Sequence, residues 1–382
     1  MNIRISADKL FAKNLLTPSG KYVVYGKLVA KHNAKRQHGK HNMQTLIAEL
    51  KARQSVYLVG PPGCAKTARI LATAKACSFD VVTWRASLME SVDVSGCIIP
   101  DTASGTSAQL PFADVKALQS AKRDTLLFID DLPQAPTDVQ AALMRLFDNQ
   151  FFPANVVVWG AGNRQGDKAG ANSLCEPLRS RFNACYVIPT PGSEDKPDGG
   201  VLLGTWKDEV DQWIEWAMDN QAPAEIIAWH RSTSGKYLYQ HKPCADSSIR
   251  MCDYRSWGAL IPRWNLGLRS LSQVSATIGK PDAAMYLAFA GMMTSLPCPD
   301  QVWLDPDGAP VPSEPSAQWL IVTSLAAQVT APTAPAFIRY LARLPRMMTA
   351  LGAKDAYRKL GAKLSGCREW VKWFTDNQAL FS

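Results

Sequence analysis

Apolar residues in this chain recur in short runs, and polar segments with helical spacing separate the runs. Five runs have the length and the β-branched or aromatic content of buried strands, namely Ser55–Val59, Val81–Trp84, Thr125–Ile129, Asn155–Trp159 and Ala184–Ile188. Helical patterns lie between most of them, for example at Val139–Phe147, and Met43–Arg53 forms another before the first. Because strands that alternate with helices build parallel sheets with covered faces, we predict an α/β fold here.

Helical patterns replace the strands after a stretch rich in Pro, Gly and charged residues at 190–200, which marks a boundary. One face of the first helical stripe holds Val210, Trp213, Ile214 and Ala217. A later stripe at 337–351 contains Pro345, which is expected to kink or split its helix. Gly352 follows and is expected to end that helix. The predicted fold class is therefore α/β followed by all-α.

These patterns divide the chain into four predicted segments. They are an N-terminal segment with a basic arm at 1–42, an α/β nucleotide-binding domain at 43–192, a helical lid at 193–275 and a helical C-terminal extension at 276–382. The N-terminal segment contains two short strand-like runs, at 3–5 and 22–25. A further insertion at 91–111, rich in Gly, Ser, Thr and Ala, is expected to hold a hairpin or a mobile loop.

The composition changes this picture mainly through charge. The chain of 382 residues has a formal net charge of +9 and a sequence pI of about 9.1. The surplus is concentrated between residues 27 and 41, where lysines, an arginine and histidines crowd together. Such a cluster is typical either of a contact with phosphate backbones or an acidic partner, or of a solvated arm. A nucleic-acid partner is therefore possible but not required.

Membrane and secreted classes find no support in the sequence. The longest apolar stretch, Trp319–Val329, is shorter than the ~20 residues that span a bilayer. The first residues lack the apolar segment of a secretory signal. The nine cysteines form no Cys-x-x-Cys pair, which argues against a disulfide framework and a structural zinc site. We expect no membrane span and a cytoplasmic location.

A phosphate-binding loop follows the first predicted strand. Its residues are Gly60, Pro61, Pro62, Gly63, Cys64, Ala65, Lys66 and Thr67, and an Ala-rich helical stretch comes next. Backbone N–H groups of such a loop, together with the helix N-terminus, favour anions. Lys66 is expected to reach the β- and γ-phosphates of ATP, and the Thr67 hydroxyl to ligate Mg²⁺. One difference from the usual pattern is Ala65, since Gly ordinarily precedes the lysine.

Polar residues at the ends of later strands suit the binding and hydrolysis of ATP with Mg²⁺. Asp130 and Asp131 follow the third strand; Asp130 is expected to hold Mg²⁺ and Asp131 to polarise the attacking water. Asn163 follows the fourth strand and faces the ligand crevice, where it can bind the γ-phosphate or the lytic water. Arg179 and Arg181, just before the fifth strand, can stabilise a transferring phosphoryl group, including in trans across a subunit interface.

In this order, the loop, the Asp130-Asp131 strand end, Gly162-Asn163 and the Arg179–Arg181 segment resemble AAA+ ATPases. Gly-Pro-Pro-Gly-x-Ala-Lys-Thr is similar to the MoxR type, in the version carried by bacteriophages, and makes Ala65 a family feature. Residues 92–96 with the insertion after them resemble the helix-interrupting hairpin of that type. Tyr254-Arg255-Ser256-Trp257 resembles the lid motif that supplies a second sensor arginine.

This resemblance implies a role for each matched residue. Lys66 and Thr67 would be Walker A, Asp130 and Asp131 Walker B, Asn163 the first sensor and Arg255 the second, which touches the γ-phosphate. Either Arg179 or Arg181 would be the arginine finger that reaches a neighbour's nucleotide, and we favour Arg181. The second Walker B acid of the family is usually Glu. Because misplacement of a catalytic group by about 1 Å can cost ~100-fold in rate, the shorter Asp131 predicts slow turnover.

The resemblance also implies an assembly and a partner. A finger that acts in trans implies a homo-oligomer, a hexameric ring, whose ATP hydrolysis remodels a partner protein that often carries a von Willebrand A-type domain. The insertion at 91–111 is the expected contact surface. Two alternatives stay open: a nucleic-acid motor or loader, motivated by the basic segment, and a nucleotide-gated assembly scaffold with little turnover, motivated by Asp131.

Overall fold

A computed structural model describes residues 41–148, 150–164, 174–192, 200–240 and 250–378. Within these ranges the chain forms two compact units. The α/β unit comprises residues 41–222 and 233–287, and the helical unit comprises residues 223–232 and 288–378. The strand-like runs at 3–5 and 22–25 and most of the basic segment lie outside the described residues. The domain limits derived from the sequence stay predictions.

The elements alternate between strand and helix as far as residue 202 and are helical thereafter. The strands are β1 (Val56–Val59), β2 (Asp80–Arg85), β3 (Cys97–Asp101), β4 (Thr106–Leu110), β5 (Thr125–Asp130), β6 (Val156–Gly162), β7 (Ala184–Val187) and β8 (Val201–Leu202). The helices are α1 (His41–Lys51), α2 (Lys66–Cys77), α3 (Ser91–Ser95), α4 (Ala113–Gln119), α5 (Thr137–Leu143), α6 (Glu176–Arg179), α7 (Trp206–Asp219), α8 (Ala224–Ser232), α9 (Tyr254–Asn265), α10 (Leu271–Ile278), α11 (Lys280–Gly291), α12 (Pro299–Leu304), α13 (Pro315–Gln328), α14 (Ala334–Leu341), α15 (Arg346–Leu360) and α16 (Arg368–Asp376). The predicted class, α/β followed by all-α, is confirmed.

A parallel sheet of six strands, in the order β2-β5-β6-β1-β7-β8, organises the α/β unit. The five predicted strands are present, with ends within a few residues of those expected. The two-residue strand β8 was not predicted, since so short a run carries no periodicity. Strands β5, β6 and β1 are neighbours, so their carboxyl ends bring residues 130, 163 and 60 to one edge of the sheet.

Apolar side chains fill the space between this sheet and its helices. The cluster includes Tyr57, Leu127, Ile129, Val139 and Phe182, each at least nine-tenths buried. The inner strand β5, next to the edge strand β2, is buried along five successive residues, as expected for a strand that is covered on both faces. The sheet edge that carries the polar residues is therefore supported by a packed core.

The insertion between the second and third predicted strands forms the short helix α3 and an antiparallel hairpin of β3 and β4. Gly105 lies in the turn with φ 64°, a left-handed conformation that glycine adopts without steric cost. All residues of both strands are exposed, including the large apolar side chains Ile98 and Leu110. Of the two structures expected for residues 91–111, the hairpin is the one observed.

The helical unit has its own core, to which Phe337, Tyr340, Leu341 and Trp370 contribute. As predicted, Pro345 splits the helical stripe, because α14 ends at Leu341 and Pro345 is the N-cap of α15. The prediction that Gly352 ends the helix is wrong, since α15 continues to Leu360. A Cβ at position 352 would lie only 2.8 Å from Leu341 Cδ1, so this glycine permits close helix packing. Among the described helices, none has both the length and the apolar character needed to cross a membrane.

A buried ion pair joins α8 to α15 within the helical unit. Arg231 donates from Nη1 and Nη2 to the Asp355 carboxylate at 2.5 and 2.9 Å, and both side chains are less than one-tenth exposed. We predict that Asp355→Ala lowers the free energy of unfolding of this unit by about 3–5 kcal/mol, because a buried guanidinium then loses its carboxylate. Urea unfolding followed by circular dichroism measures the change.

The matched control is Asp307→Ala in the same unit. Asp307 pairs with Arg339, but both side chains are more than half exposed, so its removal should cost about 1 kcal/mol or less. Equal losses of unfolding free energy in the two variants would contradict the expectation that the buried ion pair contributes more to stability than the exposed one.

Candidate active site

The phosphate-binding loop connects β1 to α2 through two residues with positive φ. Gly63 has φ 77° and Ala65 has φ 64°, and Lys66 begins the helix. The left-handed conformation costs an L-residue about 1–2 kcal/mol, so Ala65 is a strained position that glycine would relieve. Cys64 is buried below the loop, and burial raises the pKa of its thiol, which disfavours the reactive thiolate. Cys64 therefore serves as a small packing residue.

Lys66 and Asn163 lie together at this loop. The Lys66 ammonium donates to Asn163 Oδ1 at 2.7 Å, to the carbonyl of Gly60 at 2.8 Å and to that of Pro61 at 3.0 Å. Only 8% of Lys66 is exposed. The parallel pairing of β1 with β6 explains the contact, because Val59 is in register with Gly162, one residue before Asn163. The arrangement places a cation and an amide on one side of the loop.

Thr67 and Asp130 form the neighbouring pair. The Thr67 hydroxyl donates to Asp130 Oδ2 at 2.7 Å, and the Asp131 backbone N–H donates to Asp130 Oδ1 at 3.0 Å. A hydroxyl beside a carboxylate fits Mg²⁺, which is usually bound by one or two protein ligands together with waters and phosphates. Among the described residues, no group of three or more His, Cys, Asp or Glu side chains is arranged to hold a metal by itself. The donor set therefore suits a cation that arrives with a nucleotide.

Asp131 follows β5 in a left-handed conformation, with φ 57°. Burial raises the pKa of its carboxyl group, the negative charge of Asp130 raises it further, and the positive charges of Lys66, Arg85 and Arg255 oppose the rise. Arg255 of α9 and Arg85 of β2 are thus close enough to act on Asp131. Arg85 was not predicted as a site residue. It pairs in register with Asp130 across β2 and β5, an order of strands that the sequence does not reveal.

Two further residues that were not predicted contact the loop from residues 233–287 of the same unit. The Tyr239 hydroxyl donates to the Pro62 carbonyl at 2.8 Å. Asp253 caps α9 by accepting from the Ser256 N–H at 2.6 Å, and its side chain lies against Gly63. A Cβ at position 63 would lie 2.3 Å from Asp253 Oδ2, so Gly63 is required both for its positive φ and for this approach. The segment after the predicted boundary thus packs on the phosphate loop.

Arg179 and Arg181 are not brought to this cluster. They precede β7, whose residue Ala184 is in register with Val56 at the start of β1. They therefore lie near the amino ends of the strands, about 13 Å away along β1 from the phosphate loop at the carboxyl ends. Both side chains are partly exposed; Arg181 pairs with Asp148 at 2.9 Å, and Arg179 pairs with Glu176.

Comparisons with known proteins agree with this description. Residues 56–190 match the family model "ATPase family associated with various cellular activities (AAA)". No curated protein sequence matches the chain. Among solved structures, Thermotoga maritima RuvB T158V is 18% identical over 80% of this chain and 87% of its own, with TM-score 0.36. NtrX from Brucella abortus in complex with ADP is 12% identical over 95% of this chain and 70% of its own, with TM-score 0.36.

A third solved structure, a putative ATPase from Cytophaga hutchinsonii, is 15% identical over 69% of this chain and 87% of its own, with TM-score 0.27. At such identities and TM-scores these likenesses add nothing on substrate or partner. Residues 56–190 match the AAA ATPase family model and carry the phosphate loop and parallel sheet of that fold.

Proposed function

We propose that this chain binds ATP with Mg²⁺ and hydrolyses it in a ring of identical subunits. The observation that supports this most is the pair of contacts beside the loop, Lys66 with Asn163 and Thr67 with Asp130. These are the groups that a nucleotide's phosphates and their cation require, and they come together where the start of α2 meets the ends of β5 and β6.

Each of these residues has a role in the proposal. Lys66 and the loop N–H groups bind the phosphates, and Thr67 with Asp130 holds Mg²⁺, which neutralises phosphate charge when it is bound. Asp131 orients the attacking water and accepts its proton, and Asn163 positions that water or the γ-phosphate. Arg255 contacts the γ-phosphate from α9. The proximity of Arg255 to Asp131 supports this role for Arg255.

The ring is proposed because the two candidate finger residues, Arg179 and Arg181, lie away from this chain's own phosphate loop. Since Arg179 and Arg181 lie toward the opposite edge of the sheet, a site that needs an arginine finger is complete only when a second subunit supplies it. We propose a closed assembly, a hexamer, in which Arg181 is the finger. Its exposed pairing with Asp148 leaves the guanidinium accessible to a neighbour.

The work done by hydrolysis is proposed to be remodelling of a partner protein, as in chaperones of the MoxR type, with a von Willebrand A-type domain as the candidate partner module. The hairpin supports a contact role. Ile98 and Leu110 are 72% and 54% exposed, and Leu88 and Phe112 near its base are exposed as well. Apolar groups of this size on a protruding hairpin favour contact with another macromolecule. A bacteriophage origin stays a prediction.

A nucleic-acid motor is the second candidate, supported by the net charge of +9. Measuring the affinity for single- and double-stranded DNA between 50 and 200 mM salt separates the candidates. A motor that neutralises several phosphates should lose at least tenfold in affinity over that range. Weak binding that does not change with salt would exclude a dedicated nucleic-acid role.

Assembly can be tested by the ATPase rate per subunit as a function of protein concentration, with and without Mg²⁺. We expect the rate to rise with concentration and reach a plateau as the ring forms, because a lone subunit lacks the finger. Light scattering on the same samples reports the mass of the assembly. A Mg²⁺-dependent rate per subunit that is constant down to the monomer would contradict shared sites.

A further inference from the structure

A buried polar cluster lies behind the phosphate loop, in addition to the residues discussed above. Its centre is Glu209 of α7, whose side chain is completely buried. Glu209 accepts a hydrogen bond from Asn42 of α1 at 2.7 Å and a bidentate ion pair from Arg69 of α2. The Tyr254 hydroxyl donates to Glu209 Oε2 at 3.3 Å. One carboxylate therefore joins four helices, α1, α2, α7 and α9.

Two residues of this cluster, Arg69 and Tyr254, are close in sequence to residues of the candidate active site. Arg69 is in the first turn of α2, two residues after Thr67, and its backbone N–H donates to the Ala65 carbonyl. Tyr254 is the first residue of α9, directly before Arg255. The ring of Tyr254 also packs on Tyr239, which holds the Pro62 carbonyl. Glu209 thus connects the helix that follows the phosphate loop to the turn that presents Arg255.

The first turn of α9 is fixed at successive residues. Asp253 lies against Gly63, and Tyr254 is anchored through Glu209 to Arg69. Arg255 directly follows these two anchored residues, and its positive charge is close enough to lower the pKa of the Asp131 carboxyl. Without the Tyr254 anchor, the first turn keeps the Asp253 cap but loses its link through Glu209 to α2, so it can shift relative to the phosphate loop.

We propose that Glu209 and Tyr254 are positioning residues, which hold Arg255 at the γ-phosphate and so let the protein distinguish ATP from ADP. The proposal rests on the proposed function in one respect, the contact of Arg255 with the γ-phosphate. ATP and ADP differ only in that phosphate, so the discrimination between them reports the placement of Arg255. A purely structural role of the cluster would change the affinity for both nucleotides alike.

The test compares the dissociation constants of full-length protein for ADP and for a non-hydrolysable ATP analogue, both with Mg²⁺. In Tyr254→Phe we expect the preference for the ATP analogue over ADP to fall about tenfold, while the affinity for ADP stays within about twofold. Glu209→Gln should reduce the preference at least as much. Circular dichroism melting confirms that each variant is folded.

Tyr340→Phe is the matched control. Tyr340 is a buried tyrosine of the helical unit that donates to the Pro310 carbonyl at 2.7 Å, so the control removes a comparable hydroxyl without touching the cluster. Its nucleotide preference should equal that of the unaltered protein. Where Glu209→Gln fails to fold, Tyr254→Phe still tests the proposal, because it removes one oxygen and keeps the ring packing.

The variant Arg255→Ala tests the γ-phosphate contact separately from the positioning role of Tyr254. It should abolish most of the preference, and adding Tyr254→Phe to it should change nothing more, since there is no arginine left to position. A Tyr254→Phe effect that adds to that of Arg255→Ala, or that weakens both nucleotides equally, overturns the positioning role. An unchanged preference in Arg255→Ala alone overturns the assigned γ-phosphate contact and, with it, the proposal.

Discussion

Replacing Arg181 by alanine is expected to reduce ATP hydrolysis by at least about 1,000-fold while ATP binding is retained, because an arginine supplied in trans contributes ~10³–10⁵ to the turnover number of related phosphoryl-transfer sites. Arg181 is remote along the sheet from this chain's own loop, so its removal leaves Lys66 and the loop N–H groups unchanged. Steady-state hydrolysis, together with equilibrium binding of a non-hydrolysable ATP analogue, measures the two effects separately.

The loss of the Arg181–Asp148 ion pair should change stability too little to affect this result. Both side chains are more than one-third exposed, and exposed pairs contribute about 1 kcal/mol or less to stability. Arg179→Ala is the matched control, since Arg179 forms a more exposed pair with Glu176 three residues away. A catalytic loss in Arg179→Ala, with normal turnover in Arg181→Ala, would reassign the finger to Arg179.

Mixing two inactive variants tests whether the arginine acts across an interface. Lys66→Ala lacks the ammonium that binds phosphate but keeps Arg181, and Arg181→Ala has the opposite defect. In a mixed ring, an Arg181→Ala subunit can still bind nucleotide through its own Lys66. A neighbouring Lys66→Ala subunit then supplies the Arg181 that this site requires. Activity that returns on mixing supports the shared site. Activity that stays at the level of the separate variants contradicts it.

The sequence was sufficient to predict the sheet and the location of the loop. Strands that alternate with helices form a parallel sheet with helices on its faces. Polar residues that follow such strands come together at one edge of the sheet. Asp130 and Asn163 meet Thr67 and Lys66 for this reason. The hairpin at residues 91–111 was one of two expected outcomes, and its composition could not separate them.

Other contacts depend on packing that no local pattern encodes. Arg85 acts on Asp131 only because β2 pairs with β5, and strand order is invisible in the sequence. The burial of Glu209 cannot be seen in its sequence context, because Lys207, Asp208 and Asp211 around it are also charged. It is buried because Arg69 and Asn42 meet it there. Gly352 was expected to end a helix, whereas tertiary contact with Leu341 outweighs its low helix propensity.

Extending the acidic side chain at position 131 is expected to accelerate hydrolysis. Asp131→Glu lengthens the side chain by one methylene, and a catalytic group displaced by about 1 Å can lose ~100-fold in rate, so a gain of up to that size is available. Single-turnover hydrolysis at saturating ATP measures the chemical step without product release. Asp124→Glu is the control, because Asp124 is an exposed carboxylate paired with Arg53 and has no role in the proposed chemistry.

Asp131→Asn completes the test, because the amide cannot accept the proton of the attacking water. In an ATP-driven remodeller we expect it to reduce the single-turnover rate at least about 100-fold, with ATP binding preserved. Burial and the charge of Asp130 both raise the pKa of the Asp131 carboxyl, and a raised pKa makes a carboxylate a better proton acceptor. A scaffold that uses nucleotide only as a switch requires no base. Equal slow rates in Asp131→Asn, Asp131→Glu and the unaltered chain would therefore favour the scaffold and contradict the motor.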